Sequence, residues 1–158
     1  MDSHFSLSGK TFLVTGSTTG LGRAMACALG AAGAKVAMNF RNDVERAEAA
    51  FADFQNQGYE GALFRASVID EGDITRLRQE IESQLGPVDG FIVNATPAQP
   101  LKPIEEYDWE FYQSMIDFFI KSPYLLTREF LPHMREQKWG RIINIASEVF
   151  TQIGRAHV

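Results

Sequence analysis

Residues 10–33, KTFLVTGSTTGLGRAMACALGAAG, decide how the rest of the chain is arranged. A short apolar run over residues 11–14 breaks into a glycine-rich turn, and a helical pattern begins near Leu21. Gly16 lets the chain leave the strand, while Gly20 and Gly22 remove side chains where a ligand must approach. The N–H groups of the helix would then face a bound anion. The alternative is a turn whose glycines serve packing alone. The predicted phosphate-binding residues are Gly16, Ser17, Thr18, Thr19, Gly20, Leu21 and Gly22.

Composition places the chain among ordinary globular proteins. Its 158 residues are 45% hydrophobic and 22% charged, with a net charge of −5, which favours neither nucleic acid nor an anionic membrane as a partner. Cys27 is the only cysteine in the sequence, so a disulfide within the chain and a cysteine-rich metal site are both excluded. We find no signal-peptide pattern and no apolar run long enough for a bilayer, and therefore expect a cytoplasmic protein.

Apolar strand patterns alternate with helical ones along the whole chain. This alternation predicts an α/β fold, with a parallel sheet covered by helices on both faces. Predicted strands cover residues 11–14, 35–39, 62–65, 90–94 and 141–146, and predicted helices cover residues 44–57, 73–85 and 107–137. Residues 95–106 carry three prolines and are predicted to form a loop.

The last predicted helix holds two prolines and more aromatic residues than one buried face needs. We expect Pro123 and Pro132 to kink or divide it. Two interpretations of the aromatics stay open, a thick core helix or a face for a second subunit. The residues concerned are Trp109, Phe111, Tyr112, Phe118, Phe119, Tyr124 and Phe130.

The spacing TGxxxGxG after a first strand, together with GRIINIAS at residues 140–147, resembles the short-chain dehydrogenase/reductase family. The resemblance covers residues 7–151. It implies a Rossmann fold, a doubly wound parallel sheet, of which five strands are present and a C-terminal part is missing. It also implies hydride transfer between a nicotinamide cofactor and a small-molecule or acyl-thioester carbonyl, as in the 3-oxoacyl-carrier-protein reductase branch. A homo-oligomer is expected for the full-length protein.

Within this resemblance, the end of the second strand selects the cofactor. Phe40 stands where NAD-dependent members carry an acid for the ribose hydroxyls, and Arg41 follows it. A guanidinium can pair with a 2′-phosphate, to which Ser17 and Thr18 can add hydroxyl donors, so the sequence favours NADP, with NAD possible. The alternative is that Arg41 is an ordinary solvated arginine, since Asp43 and Glu45 lie close to it.

Two further strand ends match the family in part. Ser67 and Val68 stand where the family has an aspartate and a valine beside the adenine; Val68 is an expected contact, and Ser67 is either a contact or a plain turn residue. Asn94, Ala95 and Thr96 stand at the family's Asn-Ala-Gly and are expected beside the cofactor.

The family's catalytic residues are only partly present. Ser147 matches the serine that orients the substrate oxygen, although a serine at a strand end is also a common turn former. Phe119 replaces the family's helical asparagine, and Asp117 is expected to face elsewhere. No tyrosine follows Tyr124 and no lysine follows Lys138, so the Tyr-x-x-x-Lys pair that supplies the proton is absent from the sequence.

Residues 153–158, IGRAHV, are what the sequence of a widely used DNA adapter encodes when it is read in frame. We therefore expect residues 1–152 to be an incomplete NAD(P)-binding domain and the tail to be non-native, with a natural short ending as the alternative. Such a chain would bind cofactor without reductase activity. Two other hypotheses stay open, a nucleotide-binding module without turnover, and a chain that aggregates because its fifth strand lacks a neighbour.

Overall fold

A computed structural model describes residues 6–100 and 102–146 of the chain. Five parallel strands form one sheet in the order β3-β2-β1-β4-β5. They are β1 (Thr11–Val14), β2 (Lys35–Phe40), β3 (Gly61–Arg65), β4 (Gly90–Val93) and β5 (Arg141–Asn144). The order runs outward from β1 in both directions, as in a doubly wound fold. The predicted fold class is confirmed, and the predicted boundary at residues 152 and 153 lies outside the described residues.

Helices cover both faces of the sheet. They are α1 (Gly20–Ala31), α2 (Val44–Asn56), α3 (Glu71–Leu85), α4 (Trp109–Ile116) and α5 (Ser122–Glu136). One core lies beneath α1 and α2 and includes Phe12, Val36 and Phe54. The other lies beneath α3 and α5 and includes Leu13 and Phe91. Alternate residues of each central strand therefore enter opposite cores, and these strands are largely apolar because both of their faces are buried, whereas β5 at the edge is exposed along its length.

The long helix predicted over residues 107–137 differs in the structure. It is divided by a π-helical segment at Asp117–Lys121, in which the Ser122 N–H donates to the Asp117 carbonyl. The expected division at Pro132 is wrong, because α5 continues through it. The change from the π-helical segment to α5 lies directly before Pro123, which occupies the first turn of α5. A short 3₁₀ turn at Ile104–Glu106 lies within the predicted loop.

The carboxyl ends of all five strands meet at one edge of the sheet, as they must when the strands are parallel. The connections that leave this edge are the glycine turn after β1 and the segments after β2, β3 and β4. The strand order reverses between β1 and its neighbour β4, and ligands of open α/β sheets bind at such a reversal. The topology therefore places the glycine turn at the expected binding position.

Candidate dinucleotide site

A cleft of about 1000 Å³ lies at the carboxyl edge of the sheet. Its wall is built from residues at or just beyond the ends of all five strands, and from one face of α4. The strand-end residues are Gly16, Phe40, Ala66, Asn94 and Ile145. Since a cavity of this volume holds a drug-sized ligand or larger, the cleft has room for a dinucleotide.

The glycine turn forms the floor of the cleft and has no room for a side chain at Gly16 or Gly22. Gly16 has φ +61°, and a Cβ there would lie 2.9 Å from the Cα of Ala95. Gly20 has φ +51°, which residues with a side chain rarely adopt. A Cβ on Gly22 would collide with the Gly16 carbonyl oxygen and lie 2.5 Å from Nδ2 of Asn94. The glycines are therefore required by the backbone path, and the turn can approach a ligand closely.

The amino end of α1 opens into the cleft without a capping side chain. Its N-cap, Thr19, makes no side-chain capping bond in the described part of the chain, and the first turn of α1 holds no acid. By contrast, aspartates at residues 43, 70 and 108 each accept a backbone N–H at the start of α2, α3 and α4. The N–H groups and positive dipole end of α1 are thus left for an anion.

Asn94 fixes the glycine turn from the side of β4. Its Nδ2 donates to the carbonyl oxygens of Thr15 and Gly16 at 3.0 and 3.1 Å. The Thr15 hydroxyl accepts the N–H groups of Asn94 and Ala95 at 2.9 and 3.1 Å. These bonds join the end of β1 to the end of β4 and set the position of both cleft walls.

Two arginines line the cleft beyond the end of β2. Arg41 and Arg46 are both exposed, and Phe40, the last residue of β2, precedes them and also lines the cleft. Asp43 lies between them and is held by α2, since its Oδ1 accepts the Arg46 N–H at 3.0 Å and its Oδ2 lies 3.3 Å from Nη1 of Arg46. Asp43 therefore caps α2 and offsets the charge of Arg46, whereas Arg41 makes no ion pair within the part of the chain that the structure describes.

The two residues predicted after the end of β3, Ser67 and Val68, line two different depressions. Val68 is buried and lines the cleft, whereas Ser67 lines an adjoining depression of about 400 Å³ that also contains Arg41 and Arg76. The Ser67 N–H donates to Oδ2 of Asp73 at 2.8 Å. This bond, helped by Arg76, holds the pKa of Asp73 below its ordinary value, so a carboxylate fixes the loop after β3.

The wall formed by α4 carries polar side chains at helical spacing. Glu110, Gln113, Ser114 and Asp117 line the cleft, and Nε2 of Gln113 donates to Oδ1 of Asp117 at 3.1 Å. The expectation that Asp117 faces elsewhere is wrong, because positions 110, 113, 114 and 117 share one face of the helix. Phe119 is 42% exposed and is not part of the cleft wall.

Most of the residues predicted from the sequence come together in the cleft. Ser17 is fully buried behind the lining, where its hydroxyl contacts the backbone of Asn39, and Ser67 faces the adjoining depression. Ser147 lies outside the described residues, so its catalytic role stays a prediction. The predicted residues that line the cleft are Gly16, Thr18, Thr19, Gly20, Leu21, Gly22, Arg41, Val68, Asn94, Ala95 and Thr96.

Three residues that shape this site were not predicted from the sequence as part of it. Thr15 and Asn39 are buried polar residues at the ends of apolar strands, and Arg46 lies one helical turn into α2. A polar side chain inside a strand that is buried on both faces must find hydrogen-bond partners, and this requirement could have pointed to Asn39.

Neither a metal site nor a membrane span is found in the part of the chain that the structure describes. Within residues 6–100 and 102–146, no three His, Cys, Asp or Glu side chains cluster closely enough to hold a metal ion. No helix in those two ranges has the length and apolar character that crossing a membrane requires.

Comparison with known proteins supplies the family. The family model for short chain dehydrogenases matches residues 10–157. The chain belongs to this family. The predicted resemblance is confirmed, and it makes the chain a member of a family of NAD(P)-dependent oxidoreductases.

Individual relatives cover the chain almost completely, but the chain covers only part of them. It is 33% identical to 2-dehydro-3-deoxy-D-gluconate 5-dehydrogenase of Formosa agariphila, over 98% of this chain and 58% of the relative. It is 32% identical to 3-oxoacyl-[acyl-carrier-protein] reductase FabG of Staphylococcus aureus, over 89% of this chain and 56% of the relative. The chain thus spans little more than half the length of these two curated relatives.

A solved structure supports the same placement. A metagenomic short-chain oxidoreductase in complex with NADP superposes with a TM-score of 0.81 at 32% identity, covering 89% of this chain and 63% of that one. The fold of the short-chain dehydrogenase therefore extends through nearly all of the sequence.

Proposed function

We propose that this short-chain dehydrogenase binds NADP in the cleft and is the cofactor-binding part of a reductase that acts on a carbonyl group. The observation that carries the proposal is the uncapped amino end of α1. It lies beside a turn in which any side chain in place of Gly16 or Gly22 would collide with the backbone. Such a surface suits a pyrophosphate, because backbone N–H groups can reach its oxygens and no side chain stands in the way.

The preference for NADP over NAD is argued from charge at the end of β2. An acid that binds both ribose hydroxyls would repel a 2′-phosphate, and here Phe40 takes that position. Arg41 and Arg46 line the same part of the cleft and can donate paired hydrogen bonds to phosphate oxygens. The solved relative that contains NADP agrees with this choice.

The chemistry follows from the proposed cofactor. NADPH supplies a hydride to the carbonyl carbon when it is bound, and the oxygen then needs a proton. Ser147 would orient that oxygen by a hydrogen bond. The substrate is proposed as a small-molecule or acyl-thioester carbonyl, since the curated relatives include a dehydrogenase of a sugar acid and a 3-oxoacyl reductase by name. The cytoplasmic location stays a prediction.

Binding can be tested by titrating the 158-residue chain with NADPH and with NADH and following nicotinamide fluorescence. We expect saturable binding, tighter for NADPH. Arg41→Ala should weaken NADPH binding by about tenfold, since a charge-assisted hydrogen bond contributes about 1.5–3 kcal/mol, and should leave NADH binding nearly unchanged. Arg135→Ala, which removes an exposed arginine of α5 outside the cleft, is the matched control. Absence of saturation with either dinucleotide would rule out the proposal.

A second candidate is a nucleotide-binding module without turnover. Phe119 favours it, because a phenyl ring cannot hold the water that the family's asparagine binds. In the same titration samples, NADPH should not be oxidised when an acetoacetyl thioester is added. Oxidation above background would show that the chain holds a proton donor, and a Tyr-x-x-x-Lys after Ser147 in the complete gene would favour the reductase.

A further inference from the structure

Asn39 is a buried polar residue at the carboxyl end of β2, and only 2% of it is exposed. The preceding strand residues Ala37 and Met38 enter the two cores, whereas Asn39 and Phe40 line the cleft. A carboxamide at such a position is unfavourable unless each of its polar atoms finds a partner. The partners it finds beyond its own strand lie at the ends of two others, β1 and β3.

The carbonyl oxygen of the carboxamide faces the glycine turn. Oδ1 of Asn39 accepts the N–H of Gly16 at 3.3 Å. The backbone of the same residue forms a reciprocal pair with Ser17, whose N–H donates to the Asn39 carbonyl oxygen at 3.0 Å and whose hydroxyl accepts the Asn39 N–H at 2.8 Å. The first two residues of the turn are therefore fixed to the end of β2.

The amino group of the carboxamide faces the end of β3. Nδ2 of Asn39 lies 3.1 Å from the carbonyl oxygen of Ala66 and 3.4 Å from that of Phe64. Ala66 lines the cleft and precedes the segment that carries Val68. One side chain thus joins the turn after β1 to the loop after β3.

A carboxamide can make both connections at once, because it carries an acceptor oxygen and a donor nitrogen. A carboxylate would place negative charge against the two carbonyl oxygens, and an apolar side chain would take away the partner of the half-buried Gly16 N–H. Asn94 holds the Gly16 carbonyl oxygen from the opposite side at 3.1 Å. The peptide groups of Gly16 are thereby held from both neighbouring strands, β2 and β4, which determines where the N–H groups beyond Gly16 point.

We propose that Asn39 is a positioning residue for the dinucleotide, because its carboxamide sets the glycine turn and the adjoining wall in the geometry that binds the pyrophosphate. The inference rests on the proposed function, since it concerns how the cleft holds its cofactor. It goes beyond that function because it makes the affinity for the dinucleotide depend on Asn39, which belongs neither to the glycine motif nor to the pair of arginines. Misplacing a binding group by a small distance can lower affinity strongly, even when the mutated residue does not itself contact the ligand.

The test compares cofactor affinity with stability for Asn39→Ala and for a matched control. Thr11→Val is the control, because Thr11 is also a buried polar residue of a central strand. Its hydroxyl donates to the Leu85 carbonyl oxygen at 3.1 Å. This contact lies at the opposite end of the sheet from the cleft. Both variants should melt at a lower temperature than the unmodified chain. At a temperature at which all are folded, Asn39→Ala should weaken NADPH binding by about tenfold, and Thr11→Val should leave it unchanged.

A milder variant keeps the inference testable if Asn39→Ala does not fold. Asn39→Leu keeps the volume of the side chain, so that no cavity forms, but removes both polar atoms of the carboxamide, and we expect it to weaken NADPH binding about tenfold. Unchanged affinity in the folded variant of either kind would overturn the inference while leaving the proposed function intact. Failure of the unmodified chain to bind any dinucleotide would overturn both.

Discussion

At the scale of single residues, Gly22 shows how strongly the cleft depends on backbone contacts. It belongs to α1 and has ordinary helical geometry, so replacing it with alanine would normally stabilise the helix by up to about 1 kcal/mol. Here the added Cβ would meet the carbonyl oxygen of Gly16 and the amide of Asn94. Neither group can move freely, because Asn94 hydrogen-bonds the same turn. The local preference of the helix is therefore overridden by tertiary contacts.

We predict that Gly22→Ala lowers the free energy of unfolding by about 2 kcal/mol, the usual range for overpacking, and weakens NADPH binding by about tenfold or more. Urea unfolding and the NADPH titration measure the two effects. Gly72→Ala is the control, since Gly72 lies in the first turn of α3 and a Cβ there would meet only Oδ1 of Asp70, at 3.4 Å. The control should be as stable as the unmodified chain or slightly more stable. A stable Gly22→Ala variant would contradict the geometry of the turn.

Sequence reasoning reached the glycines and Asn94 because local spacing carries their signal. Gly16, Gly20 and Gly22 follow a strand and open a helix, which is a pattern that can be seen without a structure. Asn39 and Thr15 act through partners that are distant in sequence, on β3 and β4 respectively. Nothing in the neighbouring residues specifies such partners, so only the folded sheet reveals them.

At the scale of elements, Asp89 joins three parts of the chain at the end of the sheet opposite the cleft. Its carboxylate accepts the Thr11 N–H at 2.8 Å, Nε2 of Gln137 at 2.8 Å and Nζ of Lys10 at 3.1 Å. Burial alone would raise the pKa of Asp89, but the Thr11 N–H, Gln137 and Lys10 together hold the pKa below its ordinary value. The start of β1, the start of β4 and the end of α5 are thus joined by one ionised group.

This arrangement makes a contribution to stability that depends on pH. Because the pKa of Asp89 is lowered in the folded chain, the contribution is complete above the ordinary aspartate pKa of about 3.9 and is lost as the pH falls through the lowered folded value. We predict that Asp89→Asn lowers the free energy of unfolding by about 1–2 kcal/mol at pH 7, and that this difference shrinks below about pH 4.

Urea unfolding at a series of pH values checks the prediction for Asp89. Asp53→Asn is the control, because the ion pair between Asp53 and Arg23 is exposed on both sides and should contribute less than about 1 kcal/mol at any pH. A difference between Asp89→Asn and the unmodified chain that is constant from pH 7 to pH 3 would show that the carboxylate charge is not what stabilises the contact.

The elements themselves were largely predictable, and the exceptions have a physical reason. Each of the five predicted strands is present, with ends that differ by up to two residues, because short apolar runs between turn residues define them. The π-helical segment at Asp117–Lys121 was not predicted. A π-helical turn, with its i→i+5 hydrogen bonds, has no characteristic amino-acid composition by which it could be recognised. The two prolines, which can be recognised, both lie within α5.

At the scale of the whole molecule, the aromatic residues of the long helical region separate into two groups. Phe118 and Phe130 are buried beneath the sheet-facing side, so the interpretation as a core helix holds for them. A set of apolar side chains on the other side stays exposed, and we call it the α4–α5 surface: Tyr112, Ile116, Phe119, Ile120 and Tyr124. Trp109 is also exposed but lines the cleft. A continuous apolar surface of this kind on a globular protein usually marks an interface.

We predict that the α4–α5 surface pairs with the same surface of a second copy. The exposed acids Glu105 and Glu106 precede its amino end, and the exposed cation Lys121 lies towards its carboxyl end. Asp108 and Arg128 lie nearby but already have partners, since Asp108 caps α4 and Arg128 pairs with Glu71. Two copies related by a twofold axis, with their helices antiparallel, would place acids opposite cations while burying the apolar side chains. The interpretation as a face for a second subunit, left open by the sequence, stays a prediction, and the exposed side chains of this surface favour it.

Light scattering of the 158-residue chain over a range of concentrations should give a mass that approaches twice 17.7 kDa. Ile120→Glu, at a side chain that is 68% exposed, should shift the chain to monomer, because a pair of carboxylates would face each other across the twofold axis. Ile143→Glu is the control, since Ile143 is an exposed isoleucine of the edge strand β5, outside the α4–α5 surface. If association were lost in Ile143→Glu but not in Ile120→Glu, the contact between copies would lie at β5 instead. An uncovered strand edge and an exposed apolar face favour aggregation there.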